Sequence, residues 1–123
     1  MKTYFRILIL LLTFQSFSQS NSISENLLTT PEKTNYQRTS TYNEVMEFIG
    51  VLQTKSEFIH VTSMGNSKEG KSIPVVVLAN PKITNPEAAR KSGKPIIYVQ
   101  GNIHAGEVEG KEILQQLMRD ILL

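Results

Sequence analysis

Apolar positions recur at helical spacing in two parts of the chain. In residues 41–55 they form one stripe along a helix: Tyr42, Val45, Met46, Ile49 and Leu52. Thr41 and Glu44 have the spacing of a capping box, which marks a helix start. Residues 107–123 carry a second stripe: Ile113, Leu114, Leu117, Ile121 and Leu122. We predict a helix in each region, with its stripe facing the core. The charged residues of the second helix are expected on its solvated surface: Glu109, Lys111, Glu112, Arg119 and Asp120.

Short runs of apolar and β-branched residues between these helices predict strands. Phe58–Met64 and Ser72–Ala79 flank a connection rich in Gly, Asn and Ser, and this order predicts a β-hairpin. Pro74 cannot donate a ladder hydrogen bond, so it belongs at a strand start or an edge. Pro95–Gly101 is a third predicted strand, and a short helix is expected around Pro86–Lys91. Strands interspersed with helices predict an α/β layered domain with a buried sheet.

The first 18 residues have the layout of a secretory signal peptide. Lys2 and Arg6 precede a nearly all-apolar run, and small Ser residues follow it. The run is too short to span a bilayer, which takes about 20 apolar residues. We therefore expect cleavage between Ser18 and Gln19. The mature protein is expected to be secreted or periplasmic, with no stable membrane anchor.

Residues 19–40 are rich in Ser, Asn, Thr and Gln and show no sustained period. They are expected to form a polar linker, either a tether or an irregular segment that leads into the domain. The domain itself is expected over 41–123. Its last helix carries apolar residues up to Leu123 with no Gly, Asn or Pro to end it. We therefore expect the chain to be the N-terminal part of a larger domain.

Composition and charge narrow the possible chemistry. The chain has no Cys, which excludes disulfides, a thiolate zinc site and a Cys nucleophile. Its formal net charge is +2, but 11 basic and 11 acidic residues remain once Lys2 and Arg6 leave with the leader. A neutral mature chain without a basic run gives no sign of nucleic-acid binding, so we expect no nucleic-acid partner.

The sharpest chemical motif lies where the third predicted strand leads into the last helix. His104 and Glu107 stand three residues apart there, and open α/β sheets place ligands at strand C-termini. Imidazole and carboxylate are both zinc ligands, and they also suit other divalent ions. The spacing alone leaves a second interpretation open, a turn histidine beside a carboxylate that favours a helix N-terminus. The other histidine, His60, falls in a predicted strand and is assigned to structure.

Two motifs resemble the zinc carboxypeptidase family. The run GNIHAGEVEGKE, Gly101 to Glu112, is similar to the strand-end His-x-x-Glu that supplies the first two zinc ligands of that family. The stretch GNSKEGKSI, residues 65–73, is similar to its hairpin signature, with Lys71 where Arg is usual. The helix over 41–55 precedes the hairpin in the same order. The resemblance covers roughly residues 41–123.

This resemblance implies a fold, a metal and a substrate class. The fold is a three-layer α/β/α mixed sheet, here truncated to about three strands and two helices. His104 and Glu107 are implied to be ligands of Zn²⁺ in a metallocarboxypeptidase that hydrolyses a peptide or protein with zinc-activated water. Gly106 stands where pancreatic-type members carry an Arg that contacts substrate, which argues against a pancreatic-type specificity.

The family's remaining machinery has no counterpart in this sequence. The family uses a third ligand, a His far downstream, a Glu as general base, and Arg, Asn and Tyr groups that hold the substrate. We therefore assign no catalytic residue within the chain and expect the general base downstream of Leu123. The 123-residue chain alone is expected to be inactive.

Two other functions fit parts of the pattern. Zinc-dependent amide deacylases related to this family also use a strand-end His-x-x-Glu, often with Asn before the Glu. Gly106 and the hairpin signature favour the peptidase over that alternative. The third possibility is a non-catalytic secreted protein that binds a peptide or a protein partner at an open sheet edge. The sequence does not specify an oligomeric state.

Overall fold

The computed structural model describes residues 23–123, so the predicted leader at 1–18 lies outside the described residues. A 3-10 turn, four α-helices and one hairpin follow in order: the turn Glu25–Leu27, α1 Thr30–Lys33, α2 Tyr42–Lys55, β1 Ile59–Asn66, β2 Ser72–Leu78, α3 Pro86–Lys91 and α4 Val108–Leu122. This mixed α/β arrangement confirms the predicted fold class, with two strands in place of three and four helices in place of two. No helix of that part of the chain is long and apolar enough to cross a membrane.

Helix α2 forms where the apolar spacing predicts it. The backbone N–H of Glu44 donates to the Thr41 hydroxyl, and the Glu44 carboxylate accepts from the Thr41 N–H at 2.8 Å. This is the predicted capping box, and it satisfies N–H groups that the helix start leaves free. Ile49 and Leu52 of the predicted stripe are buried, together with Phe48. The helix and its inward face are therefore confirmed.

The hairpin is antiparallel and also confirms its prediction. Ile59 pairs with Leu78 at the open end, and the register becomes irregular between Ser63 and Asn66. Pro74 stands opposite Ser63, next to that irregularity. Because proline lacks a backbone N–H, it fits best at an edge or beside a break in the ladder.

A small core lies between α2, the hairpin and α4. Its buried centre consists of Phe48, Leu52 and Ile59. Half-buried apolar residues pack around this centre: Leu27, Val61, Val76, Leu78, Met118 and Leu122. Each fully buried side chain of this size contributes about 1.5–3 kcal/mol. The core therefore joins the 3-10 turn, α2, the hairpin and α4 into one packed unit.

The third predicted strand is wrong for this structure. Within residues 23–123, the sheet consists of β1 and β2, and Pro95–Gly101 pairs with neither. Ile97 is 84% exposed, and the neighbouring Ile96, Tyr98 and Val99 are exposed as well. A strand needs a neighbouring strand for its ladder hydrogen bonds, and no described strand lies beside this segment.

Helix α4 forms as predicted, but its most buried residues are not those of the predicted stripe. Glu112, Gln115 and Arg119 are 8%, 1% and 6% exposed, whereas Ile113 and Ile121 are 59% and 60% exposed. The prediction that Glu112 and Arg119 lie on the solvated surface is therefore wrong. The segment before α2 supplies hydrogen-bond partners for this polar face of α4. Within the described residues, each buried side-chain nitrogen and oxygen atom therefore has a hydrogen-bond partner.

That segment is packed where the structure describes it. Residues 23–40 contain the 3-10 turn and α1, and they bury Thr29, Thr30 and Ser40. Helix α1 starts with its own capping box, formed by Thr29 and Glu32. From residue 23 onward, the polar composition therefore does not produce a free tether.

Candidate metal centre

His104 and Glu107 lie in the turn that leads into α4. The backbone N–H of Glu107 donates to the carbonyl oxygen of His104 at 3.0 Å, so the turn closes within three residues. The closed turn brings both side chains together, with 2.7 Å between His104 Nδ1 and Glu107 Oε1. The His104 backbone N–H also donates to Glu107 Oε2, at 3.3 Å. The structure therefore brings together the two residues that the sequence analysis selected.

Both side chains are accessible to an ion. The His104 side chain is 80% exposed and that of Glu107 is 57% exposed. Glu107 occupies the N-cap position of α4, yet its carboxylate makes no capping hydrogen bond within the described chain. N-cap side chains usually accept from the free N–H groups of the first helical turn. Here the carboxylate is directed to the imidazole instead.

The donor chemistry of this pair fits zinc. An imidazole nitrogen and a carboxylate oxygen are both common zinc ligands, and two donors of one tetrahedral zinc ion stand about 3.3 Å apart. His104 Nδ1 and Glu107 Oε1 lie 2.7 Å apart, somewhat closer than that separation. Among residues 23–123, no further His, Cys, Asp or Glu joins the pair as a third possible ligand. The pair therefore offers two donor atoms of the kinds that zinc sites use.

Two glycines set how closely the turn approaches α4. A Cβ on Gly101 would lie 2.7 Å from the carbonyl carbon of Gly110, and one on Gly110 would lie 3.1 Å from the Cα of Gly101. The backbone therefore crosses the first turn of α4 in direct contact, which side chains at these positions would prevent. Asn102 follows with a φ of 59°, in the left-handed region that asparagine tolerates. This contact fixes the position of the backbone just before His104.

The other histidine lies in the hairpin. His60 is half-buried in β1 and pairs with Val77 of β2. The hairpin signature itself lies in the turn, where Lys71 pairs with Glu69 at 2.7 Å. The Lys71 ammonium also stands 5.9 Å from the ring centroid of Tyr42, at the start of α2. The contacts of both features are those of a folded hairpin docked near α2.

The family model for zinc carboxypeptidases matches residues 45–123. This span is more than half of the chain and contains both the hairpin signature and the His104–Glu107 turn. The chain belongs to the zinc carboxypeptidase family. No curated protein sequence and no solved structure gave a match to the chain. The family resemblance drawn from the two motifs is confirmed by this result.

This member of the zinc carboxypeptidase family has a buried carboxylate in the second turn of α4. Glu112 accepts hydrogen bonds from the Ser40 backbone N–H at 2.6 Å, the Ser40 hydroxyl at 2.7 Å and the Thr39 hydroxyl. The Gln115 amide donates at 3.0 Å, and the Lys111 ammonium lies 3.2 Å away. Burial alone would raise the pKa of Glu112, but the hydrogen bonds from Thr39 and Ser40 outweigh it and lower the pKa. An ionised Glu112 thus joins α4 to the segment before α2.

The last turns of α4 are held by a second polar cluster. The Arg119 guanidinium donates to the Glu32 carboxylate at 2.7 Å and to the Leu27 carbonyl oxygen at 3.0 Å. Burial would raise the pKa of Glu32, but the hydrogen bonds from Arg119 and Thr29 outweigh it and lower the pKa. The family match begins at residue 45, so both clusters tie α4 to residues that precede the matched span.

Sequence reasoning missed these buried residues, although a sign of them was present. Glu112, Gln115 and Arg119 recur at intervals of three and four, which defines a helix face as clearly as an apolar stripe does. Spacing does not show that residues 23–40 fold back onto that face. The contact between Gly101 and Gly110 likewise depends on the backbone path and has no local sign.

Proposed function

We propose that this chain supplies His104 and Glu107 as two zinc ligands of a metallocarboxypeptidase. The observation that supports this most directly is the 2.7 Å distance between His104 Nδ1 and Glu107 Oε1, inside the span matched by the family model. Zinc, when bound, supplies Lewis acidity toward a peptide carbonyl and activates water as a nucleophile near neutral pH.

The residues of the pair contribute charge, position and space. His104 offers a neutral nitrogen and Glu107 a negative oxygen, so together they offset one of the two positive charges of the ion. Glu107 stands at the N-terminus of α4. Gly106 leaves open space between them, since a Cβ there would meet nothing within 4 Å in the described chain. A peptide carbonyl can therefore approach the pair from solvent.

The pair does not by itself complete a catalytic site. Catalytic zinc sites use three protein ligands and keep one position open, and residues 23–123 bring no third ligand to this pair. Catalysis in this proposal therefore requires at least one more ligand and a general base from outside the described residues. For that reason we expect no zinc-dependent peptidase activity from the 123-residue chain alone.

The coding sequence beyond Leu123 and the activity of its product test this function. We expect the reading frame to continue and to supply a further His and a Glu. The longer product should hydrolyse a peptide with a free C-terminal carboxylate in a zinc-dependent reaction that His104→Ala abolishes. His60→Ala is the matched control and should retain activity, because His60 lies in the hairpin.

Three outcomes would contradict the proposal. One is a stop codon directly after Leu123. Another is turnover by the 123-residue chain that is lost in His104→Ala. The third is hydrolysis of acylated amino acids in place of peptides, which would favour the amide deacylase.

A further inference from the structure

The two polar clusters hold α4 at different distances from His104 and Glu107, which are called the metal pair below. Glu112 lies five residues after Glu107 and Arg119 lies twelve residues after it. With a rise of about 1.5 Å per residue, these positions are about 7.5 Å and about 18 Å along the helix axis. The first cluster therefore restrains the start of the helix, and the second restrains its end.

A helix that is fastened only at its far end can pivot. A pivot of about 5° around Arg119 would move the start of α4 by about 1.5 Å, given the separation of about 18 Å. Ligands of a metal site must be held within about 0.5 Å of their working positions. The Gly101–Gly110 contact blocks movement toward the preceding backbone, but a steric contact does not resist movement away from it. Glu112, with hydrogen bonds from Thr39 and Ser40, resists that movement.

We propose that Glu112 is a positioning residue for the metal pair: it fastens α4 to Thr39 and Ser40 and thereby holds Glu107 beside His104. This inference rests on the proposed function, because it concerns the same two ligands. It also assigns a role to residues that precede the family match. Thr39 and Ser40, which lie in the predicted polar linker, therefore help to support the metal pair.

A pair of identical substitutions tests the proposal in the 123-residue chain. Glu112→Gln weakens the cluster near the metal pair, and Glu32→Gln weakens the cluster at the far end of α4. The dissociation constant for zinc is measured by competition with a chelator in dilute solution. The ring NMR signals of His104 are recorded without metal, and the melting temperature is measured for each chain.

We expect both substitutions to lower the melting temperature. Only Glu112→Gln should weaken zinc binding, by about tenfold, which is the lower end of the effect of losing a group that orients a metal ligand. Only Glu112→Gln should shift the ring signals of His104. A zinc constant within twofold of the unsubstituted chain in Glu112→Gln, or an equal weakening in Glu32→Gln, would overturn the proposal.

Further measurements apply if Glu112→Gln does not fold or if the unsubstituted chain binds no zinc. If Glu112→Gln does not fold, Ser40→Ala removes one hydroxyl donor and should weaken zinc binding in the same direction by a smaller factor. No change in Ser40→Ala would then overturn the proposal. If the unsubstituted chain binds no zinc at His104 and Glu107, the two residues do not hold the ion without the further ligand that the proposed function expects from outside the described residues. In that case the metal-free signals of His104 decide the positioning role, since they report the contact with Glu107 directly.

Discussion

Glu107 occupies the N-cap of α4, but its carboxylate lies 2.7 Å from His104 Nδ1. This pairing could be predicted from the sequence because a turn that closes within three residues forces the two side chains together. The contact between Gly101 and Gly110 is different. These residues are nine positions apart, and neither has the positive φ that would mark a required glycine. Their importance follows only from the path of the backbone.

The contact between Gly101 and Gly110 predicts that alanine at Gly101 lowers stability and that alanine at Gly106 does not. Gly101→Ala should destabilise the chain by about 1–3 kcal/mol, because its Cβ would stand 2.7 Å from the Gly110 backbone. Gly106→Ala is the matched control. Its Cβ meets nothing within 4 Å in the described chain, so stability should change by less than about 0.5 kcal/mol. Urea unfolding measures both, and a Gly101→Ala chain as stable as the Gly106→Ala chain would contradict the contact.

At the scale of the elements, the spacing of apolar residues predicts that α4 is a helix but does not predict which of its faces is buried. The spacing of its apolar residues correctly predicts a helix, because a period near 3.6 depends only on the local chain. The choice of face depends on what packs against the helix. Residues 23–40 present Ser40 and Glu32 to Glu112 and Arg119, so the polar face is buried. The hairpin and α2 were predicted with the right position because their turn and capping signals are local.

The buried carboxylate of Glu112 and the half-buried carboxylate of Glu32 predict a loss of stability in acid. Glu112 and Glu32 both have a pKa below the usual 4.5. A carboxyl group whose pKa is lower in the folded state stabilises it fully above the unfolded pKa, and that contribution is lost as the pH falls through the folded pKa. We therefore expect the melting temperature to fall as the pH drops below about 4.5.

Glu112→Gln isolates one part of that acid effect. It should lower stability near neutral pH by about 1–3 kcal/mol, since it leaves hydrogen-bond donors of Ser40 without a charged acceptor. It should also reduce the dependence of stability on pH below about 4.5. Thermal melts from pH 7 to pH 3 provide the measurement. If both chains showed the same pH dependence, the pKa of Glu112 would be the same in the folded and unfolded states, and the prediction would be contradicted.

The molecule as a whole leaves many large apolar side chains in solvent. Ile97 of the segment before the metal pair is 84% exposed, and Ile113 on the outer face of α4 is 59% exposed. The sequence predicts burial for both because they belong to apolar patterns. Within the described residues, no element covers them. The third strand could not be predicted correctly for the same reason, since a strand depends on a neighbour that its own sequence does not reveal.

This exposure predicts that the 123-residue chain associates with itself. Exposed apolar surface of this kind favours association in water. Light scattering after size exclusion should show oligomers whose proportion rises with concentration. Ile97→Lys combined with Ile113→Lys should shift the chain toward the monomer. Glu87→Lys, on exposed α3, is the matched surface control and should leave association unchanged. A chain that stays monomeric at high concentration would contradict the prediction.

Zinc binding at the His104–Glu107 turn is the central claim, and a titration of the 123-residue chain tests it most directly. The ring NMR signals of both histidines are followed as zinc is added. We expect His104 to respond at lower zinc concentrations than His60, and we expect Glu107→Gln to weaken that response. Equal responses of the two histidines, or a response of His104 that Glu107→Gln does not change, would contradict the claim.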